Sequence, residues 1–322
     1  MRARLLALAT PDTDEFQEVL VRYGRERFLY RLSKSEWRER FVLKGAALFA
    51  VWAEEPFRST KDIDLLGLVS SDARELATVF RGVCAQAVEP DGLVFHADSV
   101  HARQIREGQP YQGIRVTLLA TLKRTRIGLQ VDVGTGDAVE PPAEEIEYPT
   151  LLDMPAPRLR AYSRYTVVAE KLSAMVELGM ANSRVRDYYD VWALARDFEF
   201  DGDLLRAAID AAFRRRRIEV PVASPVGLSD AFADAARRFW PAFVRRSVPT
   251  EPVATLADVV AGIRTFLEPA LSARAKGKVW HPGRGWKRGV KSEERGERNK
   301  TRLLFGPLSS VLNLNPQSLP AY

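Results

Sequence analysis

The chain has little of what redox and zinc chemistry need. Its 322 residues include one cysteine, Cys84, and three histidines, His96, His101 and His281. A single thiol can form no intramolecular disulfide, and this set makes a structural zinc site improbable. Long hydrophobic runs are also missing. The N-terminal one, Leu5–Ala9, is too short for export or for a membrane span. A cytoplasmic protein in a reducing compartment, with no membrane partner, is the expectation. There is no P-loop and no internal repeat, so any phosphate chemistry must rest on another arrangement.

What the chain does have is carboxylates set among apolar residues. Asp62-Ile63-Asp64 is followed by Leu65 and Leu66. In a strand, residues i and i+2 share a face, so Asp62 and Asp64 project together while Ile63 and Leu65 enter a core. Two adjacent carboxylates call for a cation, and a hard divalent ion such as Mg²⁺ (or Mn²⁺) suits oxygen donors and substrate phosphates. Upstream, Lys44-Gly45-Ala46 opens the apolar run Ala46–Trp52, which reads as a helix. Gly45 lets backbone N–H groups approach a phosphate at the helix N-terminus. Arg58 and Lys61 supply positive charge between that helix and the carboxylates.

Residues 112–120 and 126–133 read as strands joined by a turn-like segment with Lys123 and Arg124. The second strand carries Asp132 amid apolar residues, where an ionised acid is costly unless paired or bound to metal. Asp132 is thus expected as a third metal ligand, or as the base that deprotonates an attacking hydroxyl. Further on, 164–180 and 186–196 read as helices. Glu170 and Lys171 lie on the first, Asp187 and Asp190 one turn apart on the second. On the residues alone these fit a helical hairpin with surface ion pairs such as Glu170 with Arg186.

Forty-six per cent hydrophobic content allows two domains with cores of their own. The net charge of +6 is uneven: eleven Lys/Arg and three Glu between Arg274 and Arg302 leave the remainder near −2. The expected division is a core at 1–150, a helical domain at 151–272 and a basic, largely disordered tail at 273–322. The tail reads either as an RNA-binding arm, with Trp280 and Trp286 stacking on bases, or as an inert solubilising segment. The basic cluster Arg214–Arg217 suits a helix C-terminus as well as an RNA backbone.

The segments "LKGAALFAVW", "RSTKDIDLLG", "LQVDVGTGDAV" and "VVAEKLSAMVELGMANSRVRDYYDVWAL" resemble the AbiEii/AbiGii toxin family of nucleotidyltransferases, over roughly residues 35–245. The resemblance implies an α/β (α+β) nucleotidyltransferase fold of the DNA polymerase β kind, a mixed sheet followed by a C-terminal helical domain. It implies Mg²⁺-dependent transfer of NMP from an NTP to an acceptor such as the tRNA 3′ end, in a toxin–antitoxin or phage-defence setting. A cognate AbiEi-type antitoxin is the implied partner. It also places Lys171 and one of Asp187 and Asp190 in the active site, with Gly45, Arg58 and Lys171 around the triphosphate. One departure stands out: the wider superfamily has Gly-Gly or Gly-Ser where this chain has Gly45-Ala46, so phosphate contact there rests on backbone amides. A small hydroxyl compound as acceptor, or nucleotide or RNA binding without turnover, are the alternatives.

Overall fold

The computed structural model describes residues 1–9, 13–53, 58–68, 72–105, 113–248 and 254–288. Met1–Lys287 form one compact unit; the unit beginning at Arg288, and with it the expected tail beyond that residue, lies almost wholly outside the described residues.

The strands of the main sheet are β1 (Phe41–Lys44), β2 (Ile63–Gly67), β3 (Leu93–Ile105), β4 (Gly113–Leu122), β5 (Thr125–Thr135), β6 (Glu144–Glu147) and β7 (Arg158–Ala161). They lie in the order β3-β4-β5-β2-β1-β7-β6. The sheet is mixed: β2 runs parallel to β5 and β1 to β7, and the other pairs are antiparallel. Alternation along β5 builds the core. Ile127, Leu129, Val131 and Val133 are buried, and the intervening Gln130 and Asp132 take the other face.

The helices in the first part of the chain are α1 (Arg2–Leu6), α2 (Thr13–Lys34), α3 (Phe49–Trp52) and α4 (Ala73–Ala85). Asp72 caps α4 by accepting from the amides of Arg74 and Glu75, and Leu76, Phe80 and Val83 are its buried stripe. The Phe80 ring lies 5.7 Å from both Phe28 of α2 and Phe41 of β1, which ties helix layer to sheet. The expected boundary at 150 runs through the sheet, because β7, only four residues long and half charged, pairs with β1 from beyond it.

After β7 the chain is mainly helical: α5 (Arg164–Leu178), α6 (Val185–Asp197), α7 (Gly202–Arg216), α8 (Asp230–Ala236), α9 (Trp240–Ser247) and α10 (Leu256–Leu271). Short β8 (Phe200–Asp201) joins β9 (Lys278–His281) and β10 (Gly285–Arg288) in a small sheet ordered β10-β9-β8. Composition predicts disorder from 273 onward, and this is corrected up to Arg288. Trp280 is buried, its ring 5.0 Å from Phe266, and its Nε1 donates to the Ala195 carbonyl at 2.6 Å. Trp286 stacks on Phe266 at 5.9 Å and donates to its carbonyl at 3.0 Å. Two indoles anchored on one phenylalanine outweigh the local glycine and charge content. The buried Trp280 ring is no platform for RNA bases, and Trp286 is partly buried. No helix among the described residues is long and apolar enough to cross a membrane.

Candidate active site

Strand register brings the acids together. Lys44 of β1 pairs with Asp64 of β2, and Asp64 pairs with Asp132 of β5, so the three stand in one row across adjacent strands. Asp62 immediately precedes β2, and its approach is fixed by Arg25 of α2, which donates to the Thr60 carbonyl. Gly45 follows β1 at φ +73°, and a Cβ there would lie 2.1 Å from Asp64 Oδ2. The glycine is therefore required twice, for its left-handed backbone and for the room it leaves the carboxylate. The helix expected over Ala46–Trp52 is present as a 3₁₀ turn, Gly45–Leu48, continuing into α3.

These residues line a cleft of about 430 Å³ shared by the sheet and the helical part. Burial raises the Asp62 carboxyl, and the neighbouring Asp132 charge adds to it. Burial also raises Asp64; Lys44 opposes the shift and Asp132 reinforces it.

The helical part contributes a chain of ion pairs. Asp190 is fully buried and holds Arg58 through Nε and Nη2 at 2.6 and 2.8 Å. Lys171 Nζ lies 2.6 Å from Asp187 and 2.8 Å from Asp190, and Arg184 closes the chain at 2.6 Å from Asp187. Burial works against ionised Asp190, but Arg58 and Lys171 outweigh it and hold the carboxyl at about 2. Lys171 is pushed up by Asp187 and Asp190 against its own burial. Both expected aspartates thus contact the expected lysine, and Asp190 alone also reaches the sheet side through Arg58.

Other predicted positions fall differently. Lys44 lines the cleft but is already paired: it meets Asp137 and lies 3.4 Å from Glu170, and the Tyr162 hydroxyl lies 3.2 Å from both carboxylates, able to donate to one at a time. Burial lifts the Glu170 carboxyl to about 7, with Lys44 opposing and Asp137 reinforcing. The pairing of Glu170 with Arg186 expected on the residues alone is replaced by this cluster; Arg186 lines the cleft. Ala46 is buried at the cleft wall. Lys61 is a correction: it is 71% exposed and 3.6 Å from Glu18, outside the cleft lining. The segment between α3 and β2 turns its side chain outward to α2.

Arg115 is the residue that sequence reasoning misses. Its guanidinium grips both oxygens of Asp132 at 2.8 Å. A signal for it existed. Lys123 and Arg124 form a two-residue turn between Leu122 and Thr125, and counting back from that pair puts Arg115 opposite Asp132.

The donor set suits a hard divalent ion in chemistry: three oxygen acids line one cleft, and the carboxyls of the partly buried Asp62 and Asp64 are raised by burial and by the charge of Asp132. Among the described residues, however, no three acid, imidazole or thiol side chains are gathered closely enough to hold a metal. Asp132 is gripped by Arg115, and by their chemistry Asp62, Asp64 and Asp132 are the oxygen donors that would hold such an ion.

A mixed sheet carrying this acid row is thus met in one cleft by a lysine paired with two aspartates of the helical part. The sequence pattern of the family described as "Nucleotidyl transferase AbiEii toxin, Type IV TA system" matches residues 27–268. The chain belongs to that family and is a nucleotidyltransferase of the toxin–antitoxin kind. Among solved structures, it is similar to JHP933 from Helicobacter pylori, at 13% identity and a TM-score of 0.46, over 88% of this chain and 97% of that one. A second similar structure, of an H. pylori protein assigned as a nucleotidyltransferase, has 14% identity and a TM-score of 0.47, over 82% and 97%. Among curated proteins none matches.

Proposed function

We propose that this toxin transfers a nucleoside monophosphate from an NTP to an acceptor hydroxyl such as the 3′ end of tRNA, and that an AbiEi-type antitoxin counters it. The observation that carries the reading is the in-register row Lys44–Asp64–Asp132 beside Asp62, in the same cleft as Lys171. Asp62 and Asp64 would hold Mg²⁺ or Mn²⁺, with Asp132 as third ligand or as acceptor of the hydroxyl proton. The ion, when bound, supplies charge neutralisation at the α-phosphate and the departing pyrophosphate. Lys171, kept charged and oriented by Asp187 and Asp190, adds fixed positive charge for the triphosphate. Backbone amides at Gly45-Ala46, which line the same cleft, are the donors this reading assigns to the phosphates. Arg184, Arg186 and Arg216 also line the cleft and support a polyanionic acceptor.

The test is incubation with total bacterial tRNA, Mg²⁺ and each α-³²P-labelled NTP in turn, beside Asp62→Ala and Asp64→Ala. Label entering tRNA with the wild type alone is the expected result. Label that enters equally with both variants sinks the assignment of the acids. Mg²⁺-dependent NTP consumption without label in tRNA moves the acceptor to a small hydroxyl compound.

A further inference from the structure

We infer that Arg115 is a resident countercation of the acid row, holding Asp132 away from the metal until the metal–nucleotide complex displaces it. The inference rests on the metal reading above. Arg115 sits on β4 directly opposite Asp132, and its fork takes both carboxylate oxygens at 2.8 Å. Its charge also acts on Asp62, whereas Asp64 answers chiefly to Lys44 and Lys171. Both partners are only partly buried, at 28% and 22% exposure, so the pair can open without unpacking a core. This contrasts with the Arg58–Asp190 pair, which is sealed at 9% and 0%.

An ion that needs an Asp132 oxygen must compete with two charge-assisted hydrogen bonds. The competition is uneven between free metal and metal bound to a nucleotide. Free metal offers Arg115 nothing in return, whereas a triphosphate offers the guanidinium a bidentate anion in place of the one it gives up. Arg115 therefore disfavours loading with metal alone and favours loading with the metal–nucleotide complex. It is a positioning residue, acting on the ion through Asp132.

The test is Mn²⁺ binding followed by electron paramagnetic resonance, with and without a non-hydrolysable NTP analogue, for wild type, Arg115→Ala, Arg115→Lys and Asp62→Ala. Arg115→Ala is expected to bind Mn²⁺ about three- to tenfold tighter than wild type without nucleotide, and the analogue less tightly. Arg115→Lys, which keeps the charge and loses the fork, is expected to lie between them, and it carries the test if the alanine variant does not fold. Mn²⁺ affinity in both Arg115 variants that equals or falls below wild type, while Asp62→Ala abolishes binding, overturns the inference alone. Mn²⁺ binding that survives Asp62→Ala overturns the metal reading together with it.

Discussion

Asp64 Oδ2 occupies the space where residue 45 would carry a Cβ, 2.1 Å from that position. Gly45 and Asp64 are thus one steric unit, formed where the end of β1 meets β2. In Gly45→Ala the methyl must displace the carboxylate, and the positive φ adds strain of about 1–3 kcal/mol. The expected outcome is loss of transfer activity by about a hundredfold or more, with a lowered Tm. Steady-state kinetics with thermal melting checks it, and wild-type activity in this variant would remove Asp64 from the reacting geometry.

The two aspartates of α6 have unequal duties. Asp190 is fully buried and serves both Arg58 and Lys171, so Asp190→Ala strands the buried Arg58, leaves Lys171 with Asp187 alone, and is expected to cost about 3–5 kcal/mol. Asp187→Ala leaves Lys171 with Asp190 and leaves Arg184, 36% exposed, with access to water. Its expected cost is smaller, about 1–3 kcal/mol. Urea unfolding of the two variants ranks them; equal costs would deny Asp190 its bridging role.

Glu26 gives a pH dependence whose sign can be stated. Its Oε2 accepts from the Leu151 amide at 2.7 Å, and burial raises its carboxyl to about 7. The folded state holds this proton more tightly than the unfolded one. Its stabilising share is therefore complete below the ordinary carboxylate range and is lost as pH rises toward 7 and beyond. The share is at most roughly 3 kcal/mol. Glu170 titrates with the same sign. Glu26→Gln keeps the acceptor for Leu151 and is expected to flatten the fall in stability between about pH 4.5 and 7 by Glu26's portion. Denaturant midpoints measured across that range decide it; an unchanged slope would mean that Glu26 ionises freely in the fold.

Trp280→Ala tests the hairpin. The buried indole leaves a cavity against Phe266 and frees the Ala195 carbonyl, at an expected cost of about 3–5 kcal/mol. tRNA affinity and its salt dependence, measured below the melting temperature, are expected to stay as in wild type. A weakened, less salt-dependent interaction in a still-folded variant would restore the stacking arm.

Period-2 alternation made β4 and β5 legible, and helical spacing made α5 and α6 legible, because each buries one clear stripe. Asp62, Asp64 and Asp132 could be read as site candidates because they interrupt such stripes. Local pattern is silent where long-range pairing decides. β7 (RLRA) carries no apolar run, and its place beside β1 depends on a partner far away in sequence. Lys44 looks like a phosphate ligand until Asp137 and Glu170 arrive from other elements to surround it. The charged, glycine-rich composition of 273–288 hid two tryptophans whose partner, Phe266, lies a helix away.

The Arg58–Asp190 clamp and the β1–β7 pairing have a joint consequence for how the molecule comes apart. One seals an ion pair across the two halves; the other makes a strand from the second half part of the first half's sheet. The two halves are therefore expected to be coupled in unfolding. The protein should lose its structure and its cleft in one cooperative transition, and fragments divided near residue 150 should complement each other only when both are present during refolding.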